Sequence, residues 1–283
     1  MRFLDSQSGA LEADLRGPHT VGMTATITGS NTVLKDPVTP EQLASFTKGM
    51  SWSTTPLKHS IVALIPARAG SKRVPRKNFR PLNGVALIEY TFTAAKEAGI
   101  FQHIIVSTDA EEIEVPEGIL VLSRPKEMAL DDSPDILWVK HVLRDISADA
   151  FAILRPTNPF RSPAMIVRGW EHFLCNQPAD SLRAVELVKQ HPGKMWVLKG
   201  NRIQPLFPFW GPEAPWHSMP TQSLPQVCVQ NASLEIAWTK TVKEQGSISG
   251  ATVIPFFPMG NEGFNIDTEE DWQKAEEIVK CLQ

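Results

Sequence analysis

The chain of 283 residues is poor in cysteine, in long apolar runs and in charge of one sign. Its three cysteines, Cys175, Cys228 and Cys281, lie far apart and form no C-x-x-C pair. That spacing argues against a disulfide framework or a zinc site and for buried free thiols. No apolar run approaches the roughly 18 residues that span a bilayer. The opening "MRFLDSQSGALEADLRG" has no apolar core of the signal-peptide kind, so the expected location is the cytoplasm, with no membrane partner. A formal net charge of −3 is too near balance for general nucleic-acid binding. H-E-x-x-H, G-x-S-x-G and any Ser-His-Asp order are missing, and the seven histidines form no ligand-spaced cluster. What remains is ordinary globular composition, 42% hydrophobic and 21% charged, in a length that suits one large α/β domain or two modest ones.

Against that near-neutral background one stretch stands out. "IPARAGSKRVPRKN", residues 65–78, collects Arg68, Lys72, Arg73, Arg76 and Lys77 directly after the apolar run "HSIVAL". A buried strand ending in this way presents backbone N–H groups, the Ser71 hydroxyl and several cations at a sheet edge. Gly70 permits close approach of the backbone. Such a nest suits a polyphosphate, whereas a solvated basic surface loop is the plain alternative. The glycine spacings of a Walker A loop and of G-x-G-x-x-G are both missing.

From Ser60 onward strand and helix signals alternate. "SIVALIP", "HIIVSTD", "GILVLSR", "DAFAILRPT" and "SLRAVELV" read as strands. "GVALIEYTFTAAKEAG" reads as a helix closed by Gly99. "DDSPDILWVKHVLRDI" and "RSPAMIVRGWEHFL" both open on Ser-Pro, with Ser133 and Ser162 as expected caps. "SLEIAWTK" and "ATVIPFFP" resume regular structure after a Pro- and Trp-rich stretch, and "DTEEDWQKAEEIVKCL" is an amphipathic helix capped by Thr268. The order predicts an α/β fold, a mostly parallel sheet with helices on both faces. Ligands in such sheets bind beyond the carboxyl ends of the strands. The loops after "VALIP", "VSTD", "LSR" and "AILRPT" are thus expected to share one site. They bring Asp109, Arg124, Arg155 and Arg161, the two last flanking a turn that could grip a carboxylate or phosphate. Arg155 and Arg161 could equally pair with a nearby acid, and Arg124 could simply mark a strand end. Asp267, in "GFNIDTEEDW", could be a helix cap or a metal ligand.

Two segments break the pattern. Residues 1–57 are rich in Thr, Ser and Gly, with one helix start at "DPVTPEQLASF" (Thr39 as cap, Pro40 next), and are expected to form an appended arm or small subdomain of unread function. Residues 191–230 are an excursion with little periodicity, either packing on another subunit or covering the chain's own sheet.

Taken together, these stretches resemble the acylneuraminate cytidylyltransferases, the synthetases of CMP-sialic acid and other CMP-nonulosonates. Their signature, roughly P-A-R-x-x-S-K-x-x-x-x-K-N, is met at Pro66, Ala67, Arg68, Ser71, Lys72, Lys77 and Asn78. "VSTD", "RP-E-A-D", "LRPTNPFR", "LPQ…N" and "NIDTEEDW" follow in family order, over about residues 60–283. The related synthetases for the eight-carbon acid KDO carry a Gly-Lys-Pro version of the loop, so the Lys77-Asn78 ending favours nine-carbon acids. The resemblance implies a nucleotide-diphospho-sugar transferase-like, Rossmann-like fold over residues 58–283, with 191–230 as a dimerisation excursion. It implies CTP and a 2-keto sugar acid as substrates, Mg²⁺ as cofactor and a homodimer. Ala67, Arg68, Ser71, Lys72, Lys77, Asn78 and Arg124 would hold the nucleotide, with Arg68, Lys72 and Lys77 catalytic. Arg155, Lys194 and Asn231 would lie toward the sugar acid or the subunit contact, and Asp267 and Asn265 at the metal.

The chain departs from the family at telling places. Asn265 stands where relatives commonly have the first of two aspartates, which removes one negative charge from the metal position. Arg155 stands where some relatives have Gln, and Thr221 and Val229 replace basic residues around "LPQ". Other readings are a nucleotidyltransferase of the same fold with another sugar or NTP, or a nucleotide-binding regulator derived from the family.

Overall fold

The computed structural model describes residues 59–70 and 74–281 and, before them, the paired strands Ala10–Asp14 and Thr24–Thr28. Ser71, Lys72 and the helix start at Thr39 and Pro40 lie outside the described residues. The chain divides into two units, Met1–Lys58 with Leu174–Pro178 and His59–Phe173 with Ala179–Gln283. In the first, the two strands run antiparallel, Ala10 opposite Thr28. The second contains a seven-stranded sheet.

That sheet is built from β1 (Ile61–Pro66), β2 (Phe101–Thr108), β3 (Ile119–Ser123), β4 (Ala150–Ile153), β5 (Ser181–Leu187), β6 (Cys228–Trp238) and β7 (Val253–Phe256). The spatial order is β7-β5-β6-β4-β1-β2-β3. All neighbours pair parallel except β6, which runs against both β4 and β5. β1 and β4 are buried along almost their whole length, as expected of unbroken apolar runs covered on both faces. The connection after β1 goes to β2 on one side, and β4 later returns to its other side. The β1–β4 boundary is therefore the switch point at which a crevice opens beyond the strand ends.

Helices α1 (Leu87–Ala98), α2 (Asp135–Leu143), α3 (Pro163–Cys175), α4 (Thr239–Gln245) and α5 (Glu269–Cys281) cover the two faces. On one face Trp138, Val139 and Val142 of α2 and Val242 of α4 pack with Val62, Leu64, Ile105, Phe151, Ile153 and Ala237. On the other, Gly169 of α3 lies against Leu234 and Ile236 of β6. A second cluster joins Leu87 of α1 to Trp272, Ala275 and Val279 of α5, with Ile266 beneath them.

Most expected element ends hold. α1 stops at Gly99, whose φ of 66° is the left-handed geometry that glycine adopts without strain. Met165 N donates to Ser162 Oγ at 3.0 Å, and Asp271 N donates to Thr268 Oγ1 at 3.2 Å. The Asp271 carboxylate accepts from Thr268 N in return, a reciprocal cap. Ser133 is different: its hydroxyl donates to Glu127 O, and α2 begins after Pro134 with no side-chain cap. The thiols also differ from expectation. Cys175 is half-buried and Cys228 and Cys281 are exposed.

The excursion is more regular than its composition suggests. A hairpin of Trp196–Lys199 and Arg202–Pro205 stands apart from the main sheet, turning at Gly200. Trp196, Leu198, Ile203 and Trp210 are exposed, Leu198 and Trp210 to 74%, so the hairpin does not bury its apolar side chains on its own sheet.

Candidate active site

Beyond the carboxyl ends of β1 and β4 lies a cleft of about 490 Å³. Each wall comes from a different strand end. Pro66 ends β1 and Arg68 and Gly70 follow it, Arg124 follows β3, and Arg155, Pro156 and Thr157 follow β4. Lys77 and Asn78 enter from the turn Lys77–Phe79, Asp131 from the approach to α2, Asp135 from its first turn, and Asp267 from the loop before α5. Among the described residues the sequence-predicted Arg68, Lys77, Asn78, Arg124, Arg155 and Asp267 thus share one cavity. Ala67 is fully buried beside them, its N–H donating to Ser107 O.

The first loop is tied down at several points. Ala69 N donates to Asp109 Oδ1 at 2.8 Å, and Asn78 Nδ2 donates to Arg68 O at 3.1 Å. Arg68 Nη1 donates to Asp131 Oδ1 and to Ala129 O, at 3.0 and 3.2 Å. The side chain of Arg68 is about a third exposed, so its charge faces the cleft rather than the core. Lys77 is nearly buried and bridges loop to loop, donating to Ile266 O at 2.7 Å and Asp267 Oδ1 at 3.3 Å. Arg124 is buried in the cleft floor. It donates to Ser107 Oγ and Ser107 O and lies over the Trp138 ring at 4.8 Å. Burial lowers its pKa to about 10, opposed by Asp109 and Asp135. It keeps its charge at neutral pH.

Arg155 and Arg161, read from sequence as two arms of one grip, are separated by the fold. Arg161 is turned inward, donating to Ser233 O, Arg155 O and Thr91 Oγ1. Burial, with help from Arg155, pushes its pKa down to about 9. Only Arg155 reaches the cleft. Its Nε donates to Glu235 Oε1 at 2.9 Å and its Nη2 to Asp135 Oδ2 at 2.5 Å. Burial alone would lower its pKa, but Glu235 and Asp135 outweigh that and raise it. Asp135 is held below the ordinary carboxylate range because Arg155, Trp138 and Arg124 overcome its burial.

Two predicted residues sit elsewhere. Lys194 donates to His217 O and Met219 O inside the excursion. Asn231 lies at a bulge of β6, where its Oδ1 accepts from Ser233 N and Ser233 Oγ. Neither lines the cleft of this chain.

For magnesium, the donor set is one carboxylate and one amide. Asp267 Oδ2 accepts from Asn265 Nδ2 at 2.6 Å, and its other oxygen faces Lys77. No group of three His, Cys, Asp or Glu side chains able to enclose a metal occurs among the described residues. Magnesium commonly takes one or two carboxylates and completes its shell with waters and substrate phosphates. The residues present fit an ion that arrives with a polyphosphate.

Sequence reasoning did not single out Glu235, Arg183 or Asp135. Asp135 carried a faint signal, an acid in the first turn of a helix after Ser-Pro. Glu235 and Arg183 carried none, because a charge within an apolar strand pattern says nothing about which strand lies next to it.

Comparisons with known proteins agree with this geometry. The family model described as cytidylyltransferase matches residues 62–194. A CMP-N,N'-diacetyllegionaminic acid synthase of Legionella pneumophila is 32% identical over 79% of this chain and 97% of its own. An N-acylneuraminate cytidylyltransferase of Escherichia coli is 37% identical over 39% of this chain and 27% of its own, so that alignment spans about a quarter of that enzyme. A solved structure of CMP:2-keto-3-deoxy-manno-octonic acid synthetase complexed with CTP shares the fold at a TM-score of 0.58 and 14% identity, covering 79% of this chain and 100% of that one. A mostly parallel sheet with a cation-lined cleft at its switch point, in a chain with these relatives, is that of a nucleotidyltransferase. The chain belongs to the acylneuraminate cytidylyltransferase family.

Proposed function

We propose that the protein transfers CMP from CTP to the anomeric hydroxyl of a nine-carbon 2-keto sugar acid of the sialic, legionaminic or pseudaminic type. The observation that carries this reading is the single cleft shared by Arg68, Lys77, Asn78, Arg124, Arg155 and Asp267. The anomeric oxygen attacks the α-phosphorus, the bond to the β-phosphate breaks, and pyrophosphate leaves. Positioning and charge stabilisation dominate such a step, since little covalent chemistry falls to the protein. Arg68, Lys72 and Lys77, with Ala67, Ser71 and Asn78, hold the triphosphate and stabilise the leaving pyrophosphate. Arg124, in the cleft floor, supports the nucleotide end, and Arg155 faces the sugar acid. Lys194 and Asn231, outside this chain's cleft, act at the subunit contact. Asp267, with Asn265 beside it, would hold Mg²⁺. Such an ion would supply Lewis-acid stabilisation of charge on the phosphates.

Residues 58–283 form the transferase and residues 1–57 an appended segment. The exposed apolar hairpin of the excursion is the homodimer surface, since soluble monomers rarely leave such patches open. No helix among the described residues is long and apolar enough to cross a membrane, and we place the enzyme in the cytoplasm, where CTP is available.

Pyrophosphate release across four nucleoside triphosphates and sialic, legionaminic and pseudaminic acids and KDO tests the reading. Strict dependence on CTP with a nine-carbon acid supports it. Turnover only with KDO or another NTP sinks it, as does tight CTP binding without turnover at any Mg²⁺ or Mn²⁺ concentration. The last outcome marks a regulator.

A further inference from the structure

Glu235 is a carboxylate in the middle of the sheet, with its side chain 1% exposed. It sits on β6 directly opposite Ile153 of β4 and Arg183 of β5. Arg155 follows Ile153 by two residues, so both arginines converge on the one carboxylate. Oε2 accepts from Arg183 Nη1, and Oε1 accepts from Arg155 Nε with Nη2 at 2.8 Å. Arg183 is fixed in turn by Ile248 O and Ser249 Oγ through Nη2. Arg155 Nη2 also reaches Asp135 Oδ2. These contacts occupy Nε and Nη2 of Arg155. Its Nη1 has no protein acceptor among the described residues, and the residue lines the cleft.

We propose that Glu235 is a positioning residue: held by Arg183, it fixes the Arg155 guanidinium so that Nη1 meets the carboxylate of the sugar acid. The inference rests on the function proposed above and adds a residue to it. Charge selects the carboxylate over the triphosphate. Arg155 and Arg183 are paired with Glu235 and Asp135, and the charges of Arg161 and Arg124 beside them are buried and tied to protein acceptors, so the modest positive surplus at this end of the cleft suits a single negative charge. A polyanion belongs with the cations of the first loop. A fixed guanidinium also loses less freedom on binding than a mobile one, which is where Glu235 contributes affinity.

The test is steady-state kinetics of the full chain with the sugar acid and CTP varied separately. Glu235→Gln is expected to raise KM for the sugar acid about tenfold or more, the scale of a charge-assisted hydrogen bond, with KM for CTP unchanged. Because Glu235→Gln leaves Arg183 buried without its counter-charge, Glu235→Gln/Arg183→Met is measured beside it. That pair is expected to melt closer to the wild type yet keep the raised sugar-acid KM. In an Arg155→Ala background, Glu235→Gln is expected to change the sugar-acid KM no further. An active wild type whose folded variants keep their sugar-acid KM overturns this inference alone. So do equal changes in both KM values, or additive effects of the Arg155 and Glu235 changes. A wild type with no turnover on any nine-carbon acid overturns the function and this inference together.

Discussion

Arg68 and Lys77 both bond to protein acids across the cleft, Arg68 to Asp131 at 3.0 Å and Lys77 to Asp267 at 3.3 Å. An incoming triphosphate competes with those carboxylates for the same cations. Arg68→Ala is therefore expected to lower kcat/KM for CTP about 100-fold or more while circular dichroism stays native, since one preorganised charge donor is worth that much at a developing anion. Near-normal activity would overturn the assignment. Asp131→Asn removes a competitor for Arg68 and is expected to tighten CTP binding by a few-fold, the scale of a partly exposed ion pair, in isothermal titration. Weaker binding would show instead that Asp131 serves to hold Arg68 in place for the nucleotide. At this scale the signature loop was legible because its spacing constrains side chains only a few positions apart. The Arg155–Glu235–Arg183 group was not, because its members meet only when three strands are laid side by side.

The cap of α5 and the loop around Asp180 show how single polar groups hold elements in register. At the start of α5 the Thr268 hydroxyl accepts from Asp271 N and the Asp271 carboxylate accepts from Thr268 N, and Trp272 of this helix is buried in the cluster under the Asp267 loop. Thr268→Ala is expected to cost about 1 kcal/mol, measured by thermal or urea unfolding. Asp180 accepts from Thr252 N, Ala251 N and Gln245 Nε2 at 2.8 to 3.0 Å. The hydrogen bond from Thr252 N is the largest of the effects that hold its pKa below the ordinary value. Its folded pKa is the lower one, so its contribution to stability is complete above about pH 4 and is lost as pH falls through the folded value. Asp180→Asn is expected to flatten the acid limb of Tm against pH; an unchanged limb would refute it. These caps and strands were readable from local pattern. Ser133 departs from Ser162 although both precede a proline: its hydroxyl is turned to donate to Glu127 O, and α2 starts with no side-chain cap.

For the whole molecule, the excursion carries the predicted subunit contact. Trp196, Leu198 and Ile203 of the hairpin and Trp210 beyond it are exposed apolar side chains. Sedimentation at micromolar concentration is expected to give a homodimer, and Leu198→Asp/Trp210→Asp to shift it toward monomer. A wild-type monomer would remove the excursion from any role in assembly. Lys194 and Asn231, which this chain keeps out of its own cleft, belong to the same question.

The sequence alone determined the alternation of strands and helices, the strand-end position of the cationic loop and the family, because each depends on residues near one another in the chain. Tertiary structure decided the rest. It set β6 antiparallel within an otherwise parallel sheet, turned Arg161 inward while leaving Arg155 at the cleft, and brought Glu235 between two arginines. Strand order is set by which apolar faces pack together, and that is a property of the assembled core rather than of any one segment.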